Sequence, residues 1–179
     1  MVKVKEEKKY KRGVMPGRFQ PLHHGHLHVV EWALQRVEKI LLVIGSAQDS
    51  FSFKNPLTAG ERYEILERVI EKRGWKQRID IVPVMDINSN KQWVKYLEML
   101  LPRFDVGISG NPLVQLLFLD SGYDVLEPPM YRREECSGTI IRRRIVEGKE
   151  WRNCVPEETI ELLEQFGFPE RLKRLAGGG

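Results

Sequence analysis

Residues 39–44 read K-I-L-L-V-I and stop at Gly45. An apolar run this short and this continuous fits a strand buried on both faces, the situation of a parallel sheet covered by helices. The rest of the chain alternates to match. A first strand is expected over Lys11–Met15, after which Leu27, Val30, Leu34 and Val37 recur at helical spacing. Thr58-Ala59-Gly60-Glu61 has the form of a capping box, so a helix starts near Ala59, turns Ile65, Leu66, Val69 and Ile70 inward, and stops near Gly74. Then come a strand at Ile79–Val84, a helix at Gln92–Leu101 ended by Pro102, a strand at Val106–Ser109, a helix at Pro112–Leu119, a short strand at Tyr123–Leu126 and a helix at Gly138–Val146. Pro156 and Pro169 are placed to open two last helices. This order predicts an α/β fold with a doubly wound parallel sheet, Rossmann-like, followed by a helical C-terminal segment.

At 179 residues with 41% hydrophobic content, the chain can bury one sizeable core. A single domain is expected over 11–176, between a charged leader at 1–10 and a glycine tail at 177–179. No apolar run approaches the roughly 20 residues of a membrane span, and the leader lacks the apolar centre of a signal peptide. Cys136 and Cys154 are the two cysteines. Two thiols make no disulfide framework, so free thiols in a reducing cytoplasm are expected. The net charge of +4 suits nucleic acid and a pocket for phosphorylated small molecules alike. The basic residues are dispersed and show no aromatic interleaving, which argues against a nucleic-acid partner.

Two segments carry chemistry. Gly17–His26 reads G-R-F-Q-P-L-H-H-G-H and falls at the first strand-to-helix junction. A helix N-terminus in such a crevice attracts anions, and His23 and His26, three apart, can face one phosphate with Gly25 leaving room. A pair of histidines in a polar loop, or a zinc site, is the alternative; a structural zinc site needs about four ligands, and no cysteine pair stands at finger spacing. Far downstream, Ser137-Gly138-Thr139-Ile140-Ile141-Arg142 opens another helix, with two hydroxyls, free first-turn N–H groups and an arginine one turn inside. Taken alone, that segment is equally an N-cap serine followed by a solvated Arg142–Arg144 face.

The paired H-x-G-H turn and distant S-x-T-x-x-R resemble the signature of the nucleotidylyltransferase superfamily. With G-S-A-Q-D-S at 45–50, N-P-L-T-A-G-E-R at 55–62 and S-G-N-P-L-V-Q at 109–115, the chain is similar to the archaeal nicotinamide-mononucleotide adenylyltransferases across most of its length. The resemblance implies transfer of AMP from ATP to nicotinamide mononucleotide (NMN), giving NAD and pyrophosphate, with nicotinate mononucleotide as a further acceptor. It implies a homo-oligomer, commonly a hexamer. Expulsion of pyrophosphate calls for Mg²⁺, which is expected to ride on ATP and water because no clustered carboxylates argue for a dedicated metal cage. One departure is Pro16, where the family has an aliphatic residue at the end of the first strand; proline lacks a ladder donor and belongs at a strand end or edge.

The chemistry fits these residues. A mononucleotide's phosphate is largely dianionic at neutral pH, its second pKa being about 6, so attack on the α-phosphorus needs positioning and charge stabilisation more than a base. His23, His26, Arg18 and Arg142 are accordingly expected to be catalytic clamps, with Gly17, Phe19, Gly110, Asn111, Ser137 and Thr139 around ATP. The resemblance places Asp86, Asn90 and Trp93 around the mononucleotide, and an aromatic face such as Trp93 attracts its cationic ring; otherwise Trp93 is a core aromatic. Lys54 is expected to reach a substrate phosphate, its alternative being an exposed loop lysine. A related transferase adding a nucleotide to flavin mononucleotide, phosphopantetheine or a polyol phosphate, and a non-catalytic nucleotide- or nucleic-acid-binding module, are the alternative readings.

Overall fold

The computed structural model describes residues 9–178, so most of the expected leader lies outside the described residues. Five parallel strands form one sheet in the order β3-β2-β1-β4-β5: β1 Tyr10–Gly17, β2 Val37–Ile44, β3 Ile79–Pro83, β4 Val106–Ile108 and β5 Asp124–Leu126. The expected doubly wound sheet is what the chain builds. Its helices are α1 His24–Leu34, α2 Ala59–Lys72, α3 Trp93–Leu100, α4 Pro112–Asp120, α5 Gly138–Val146, α6 Glu157–Gln165 and α7 Phe168–Gly177. The expected glycine tail therefore starts inside α7, at Gly177.

Strand alternation sorts the core into two layers. Ile40, Leu42 and Ile44 of β2 point to one face, under α1, α2 and α5–α7, while Leu41 and Val43 point to the other, against Val94 and Leu97 of α3 and Phe118 of α4. Gly107 makes the second layer possible, because a Cβ there would stand 2.5 Å from the Phe118 ring.

Three readings need correction. Val37 does not extend α1. The helix closes at Leu34 through a turn at Gln35 and Arg36 that carries no glycine or proline, and Val37 starts β2 opposite Tyr10. Tyr10 itself belongs to β1 and not to a leader. Cys136 and Cys154 are joined in a disulfide: the turn over 152–154 folds back against the segment before α5 and brings the Cα atoms to 5.2 Å, which spacing along the sequence could not reveal. Pro16, by contrast, is accommodated at a strand end. It lies beyond Val14, the last residue of β1 paired with β4, and alternation turns its nitrogen toward that unpaired side.

Candidate active site

The chain leaves β1 toward β2 on one side and β4 on the other, so the strand order reverses at β1. A crevice at the carboxyl ends of strands is the expected place for a ligand there. A cavity of about 420 Å³ occupies it, lined by residues from the β1–α1 turn, the β4–α4 turn and the segment entering α5.

His23 is the N-cap of α1. Its Nδ1 accepts a hydrogen bond from the Gly25 N–H at 3.1 Å, and the His26 Nδ1 accepts from the His23 N–H at 3.1 Å, a reciprocal capping box made of two imidazoles. The rings lie 3.8 Å apart, and His26 is 4.7 Å from Phe19. Because each Nδ1 is an acceptor, the proton of each neutral ring sits on Nε2, the atom left free to donate. Burial, and then the neighbouring His24, pushes the His23 pKa down to about 4; burial, and then His23, holds His26 well below 6.5. Both rings are therefore neutral Nε2–H donors at neutral pH. Gly25 has a different reason from the one its sequence position suggests: a Cβ there would meet the His23 ring at 2.8 Å, so the glycine makes space for the cap.

Across the cavity, Ser137 caps α5, its hydroxyl accepting from the Ile140 N–H at 3.3 Å. Arg142 is not on a solvated face. It is 5% exposed, its Nη1 donates to the Gln20 carbonyl at 2.7 Å and its Nη2 to the Thr139 hydroxyl at 3.4 Å, while its buried Nε has no protein partner. Burial, then repulsion from Arg18, lowers its pKa to about 10, which leaves it charged at neutral pH. Two helix N-termini, two imidazole donors and the guanidinium groups of Arg18, Arg133 and Arg142 thus face one space, with Glu127 as the acidic lining residue. Such a donor set suits the oxygens of a polyphosphate.

Nine of the expected residues line this cavity: Arg18, Phe19, His23, His26, Gly110, Asn111, Ser137, Thr139 and Arg142. Asn111 also caps α4, accepting from the Leu113 N–H at 2.9 Å. Gly17 lies just outside, its carbonyl accepting from the Gly45 N–H at 2.8 Å, with the Phe19 ring packed over it. The four residues expected around the mononucleotide do not line the cavity. Asp86 stands at a neighbouring corner of the same sheet edge, accepting from the Ser46 hydroxyl at 2.7 Å and the Gln48 amide at 3.3 Å. Lys54 and Asn90 are exposed, and Trp93 is half-buried with its ring edge-on to Phe118 at 5.6 Å. Sequence reasoning missed Gln20, whose buried amide is bonded both ways to the Leu57 backbone at 2.9 Å, and the cavity residues Tyr131 and Arg133. It also gave no role to Arg62, although that residue falls on the apolar stripe of α2 by its spacing to Ile65, Leu66 and Val69.

Among the described residues, no group of three or more His, Cys, Asp and Glu is placed to hold a metal, and no helix is long and apolar enough to cross a membrane.

Residues 14–144 match the cytidylyltransferase-like family, and that span contains both halves of the cavity. The chain belongs to this family. It is 51% identical over 167 residues to the nicotinamide-nucleotide adenylyltransferase of Aeropyrum pernix, an alignment covering 92% of this chain and 97% of that one. With the protein of the same name from Pyrococcus abyssi, identity is 45% over 92% of this chain and 89% of the relative. In architecture it is similar to a bifunctional NMN adenylyltransferase/ADP ribose pyrophosphatase from Francisella tularensis, with a TM-score of 0.78 at 22% identity over 94% of this chain. The chain spans about half (53%) of that longer protein, and the likeness bears on fold alone. A related Francisella structure, with a TM-score of 0.75, is complexed with AMP and a manganese ion.

Proposed function

We propose that this protein transfers AMP from ATP to NMN, forming NAD and pyrophosphate, and that it also accepts nicotinate mononucleotide. The observation that carries the reading is the pair of neutral imidazoles whose Nδ1 atoms are committed to the α1 cap, so that both Nε2–H groups are free for phosphate oxygens opposite Arg142 and the α5 N-terminus. Relatives named nicotinamide-nucleotide adenylyltransferase, matching most of the chain, support the substrate choice.

In this reading an oxygen of the NMN 5′-phosphate attacks the α-phosphorus of ATP. One P–O bond forms as the α–β bridge breaks, and the bridging oxygen leaves with pyrophosphate. His23, His26 and Arg18 donate to the α-phosphate as charge develops, a role in which donors already in place incur no reorganisation. Arg142, Ser137, Thr139 and the first turn of α5 hold the β- and γ-phosphates; Gly17, Phe19, Gly110 and Asn111 border the nucleoside. Asp86 serves the mononucleotide from the neighbouring corner of the sheet edge, together with Lys54, Asn90 and Trp93. The donor set of the cavity suits phosphate oxygens better than a bare cation, so Mg²⁺ would arrive on the triphosphate, where it neutralises charge, with Glu127 as the lining carboxylate nearest in chemistry to its water ligands. ATP and a mononucleotide are the partners, and the cytoplasm is the compartment in which they meet.

A homo-oligomer, with a hexamer as the specific form, belongs to the same proposal. It is supported by α4, where Leu113, Leu116 and Leu119 are each half exposed or more, and by Met99 of α3 at 81% exposure. The experiment is a panel of NMN, nicotinate mononucleotide, flavin mononucleotide and phosphopantetheine, each with ATP and Mg²⁺, scored for dinucleotide and pyrophosphate. NAD formation supports the proposal; efficient FAD or dephospho-coenzyme A formation without NAD overturns it.

A further inference from the structure

Arg62 is 1% exposed and charged at neutral pH, yet among the described residues it has no carboxylate partner within salt-bridge distance. Its guanidinium is spent on backbone. Nη1 donates to the carbonyls of Arg18 at 2.9 Å and Gly45 at 2.7 Å, Nη2 to the carbonyl of Ser46 at 3.0 Å, and Nε to that of Thr58 at 3.2 Å. These acceptors belong to three segments: the turn after β1, the turn after β2 and the cap of α2. The first two each contain a non-glycine residue in the left-handed region, Phe19 at φ 53° and Ser46 at φ 48°. Such conformations persist only where surrounding contacts over-determine them.

Both left-handed residues sit at chemistry-bearing corners. Arg18 and Phe19 line the polyphosphate cavity, Phe19 beside His26, while Ser46 holds Asp86 through its hydroxyl. We propose that Arg62 is a positioning residue that fixes the Arg18–Phe19 turn and the Ser46–Asp86 corner at one separation, and so serves both substrates without touching either. This rests on the assignment of those two corners to ATP and NMN. A planar fork with donors in several directions can bridge four carbonyls of three segments at once, whereas a lysine ammonium at the same place offers a single point. Since the reacting phosphates must approach within van der Waals contact, a small shift between the corners is amplified in rate.

The test compares Arg62→Lys and Arg62→Gln with the native protein, measuring kcat and KM for ATP and for NMN alongside amide hydrogen exchange over 17–20 and 45–48. Exchange is expected to rise in both segments. KM is expected to rise by about fivefold or more for both substrates, with kcat falling on the order of 10²-fold and Arg62→Lys less affected than Arg62→Gln. A folded Arg62→Lys protein with either KM unchanged, or with either segment as protected as in the native protein, overturns the proposal. A residue serving stability alone would lower the active fraction and leave both KM values in place. If Arg62→Gln does not fold, Arg62→Lys decides. If the native protein makes no NAD, the functional assignment fails by itself, and the exchange arm still passes or overturns the coupling of the two turns.

Discussion

Replacing His26 with alanine removes two things at once: an acceptor in the α1 capping box and an Nε2–H aimed at the cavity. Their magnitudes differ enough to be separated. Losing a cap costs about 1 kcal/mol of stability, which for a chain of this size lowers Tm by roughly 2–4 °C. Losing a donor preorganised for transition-state charge costs about 10²- to 10³-fold in kcat, or roughly 2.7–4 kcal/mol. Glutamine at the third helical position is a natural capping-box residue, so His26→Gln should regain the cap while lacking the imidazole donor. The expected pattern is therefore a modest Tm loss in His26→Ala that is recovered in His26→Gln, with NAD formation severely reduced in both. Thermal unfolding followed by circular dichroism and initial rates at saturating ATP and NMN measure the two effects. If His26→Gln restores kcat along with Tm, the imidazole is only a cap and the donor argument is wrong.

The protonation of the pair gives a second outcome. Folded His23, at about 4, and folded His26 stay neutral below 6.5, where the unfolded chain protonates, so the unfolded state binds more protons and stability falls as pH drops from about 6.5 through about 4. Denaturant titrations should show that slope, shallower in His23→Asn, which keeps a cap acceptor without a titrating ring; nitrogen NMR should find both rings as neutral Nε2–H tautomers at pH 6, and a charged ring there would refute the assignment. The Cys136–Cys154 bridge, 18 residues apart, should contribute about 3 kcal/mol by chain entropy, so reduction or Cys154→Ser should lower Tm by roughly 6–12 °C; an unchanged Tm would mean that the bridge adds nothing to the fold. Trp93→Ala should raise KM for NMN roughly 5- to 30-fold, from about 1–2 kcal/mol of lost stacking, and leave KM for ATP in place; equal rises for both would make it a packing residue on Phe118.

What the sequence made legible was local. The K-I-L-L-V-I run marked β2 because full burial on two faces demands an unbroken apolar string, and the capping box at Thr58 placed α2 because its side-chain bonds span three residues. The α5 helix began at the expected residue for the same reason, a serine cap before it. The cavity's two halves were legible as anion-binding helix starts, and the structure brings them together. Less visible were features made by distant contacts. Val37 has the right spacing for α1 and the right hydrophobicity for β2, and pairing with Tyr10 decides between them. The disulfide depends on how the turn at 152–154 packs, and the role of Arg62 depends on carbonyls from three segments that no periodicity relates. Tyr131 and Arg133 stand in an irregular stretch before α5, where no repeat pattern marks a lining residue.

Direct transfer between two bound phosphates is the centre of the account, and the fate of the α-phosphorus tests it. With ATP labelled at that position, NMN and Mg²⁺, the label should pass into NAD one for one with unlabelled pyrophosphate released, and acid-quenched protein should carry none. Label retained on the protein before NMN is added, or label released as AMP with no NAD formed, would contradict it.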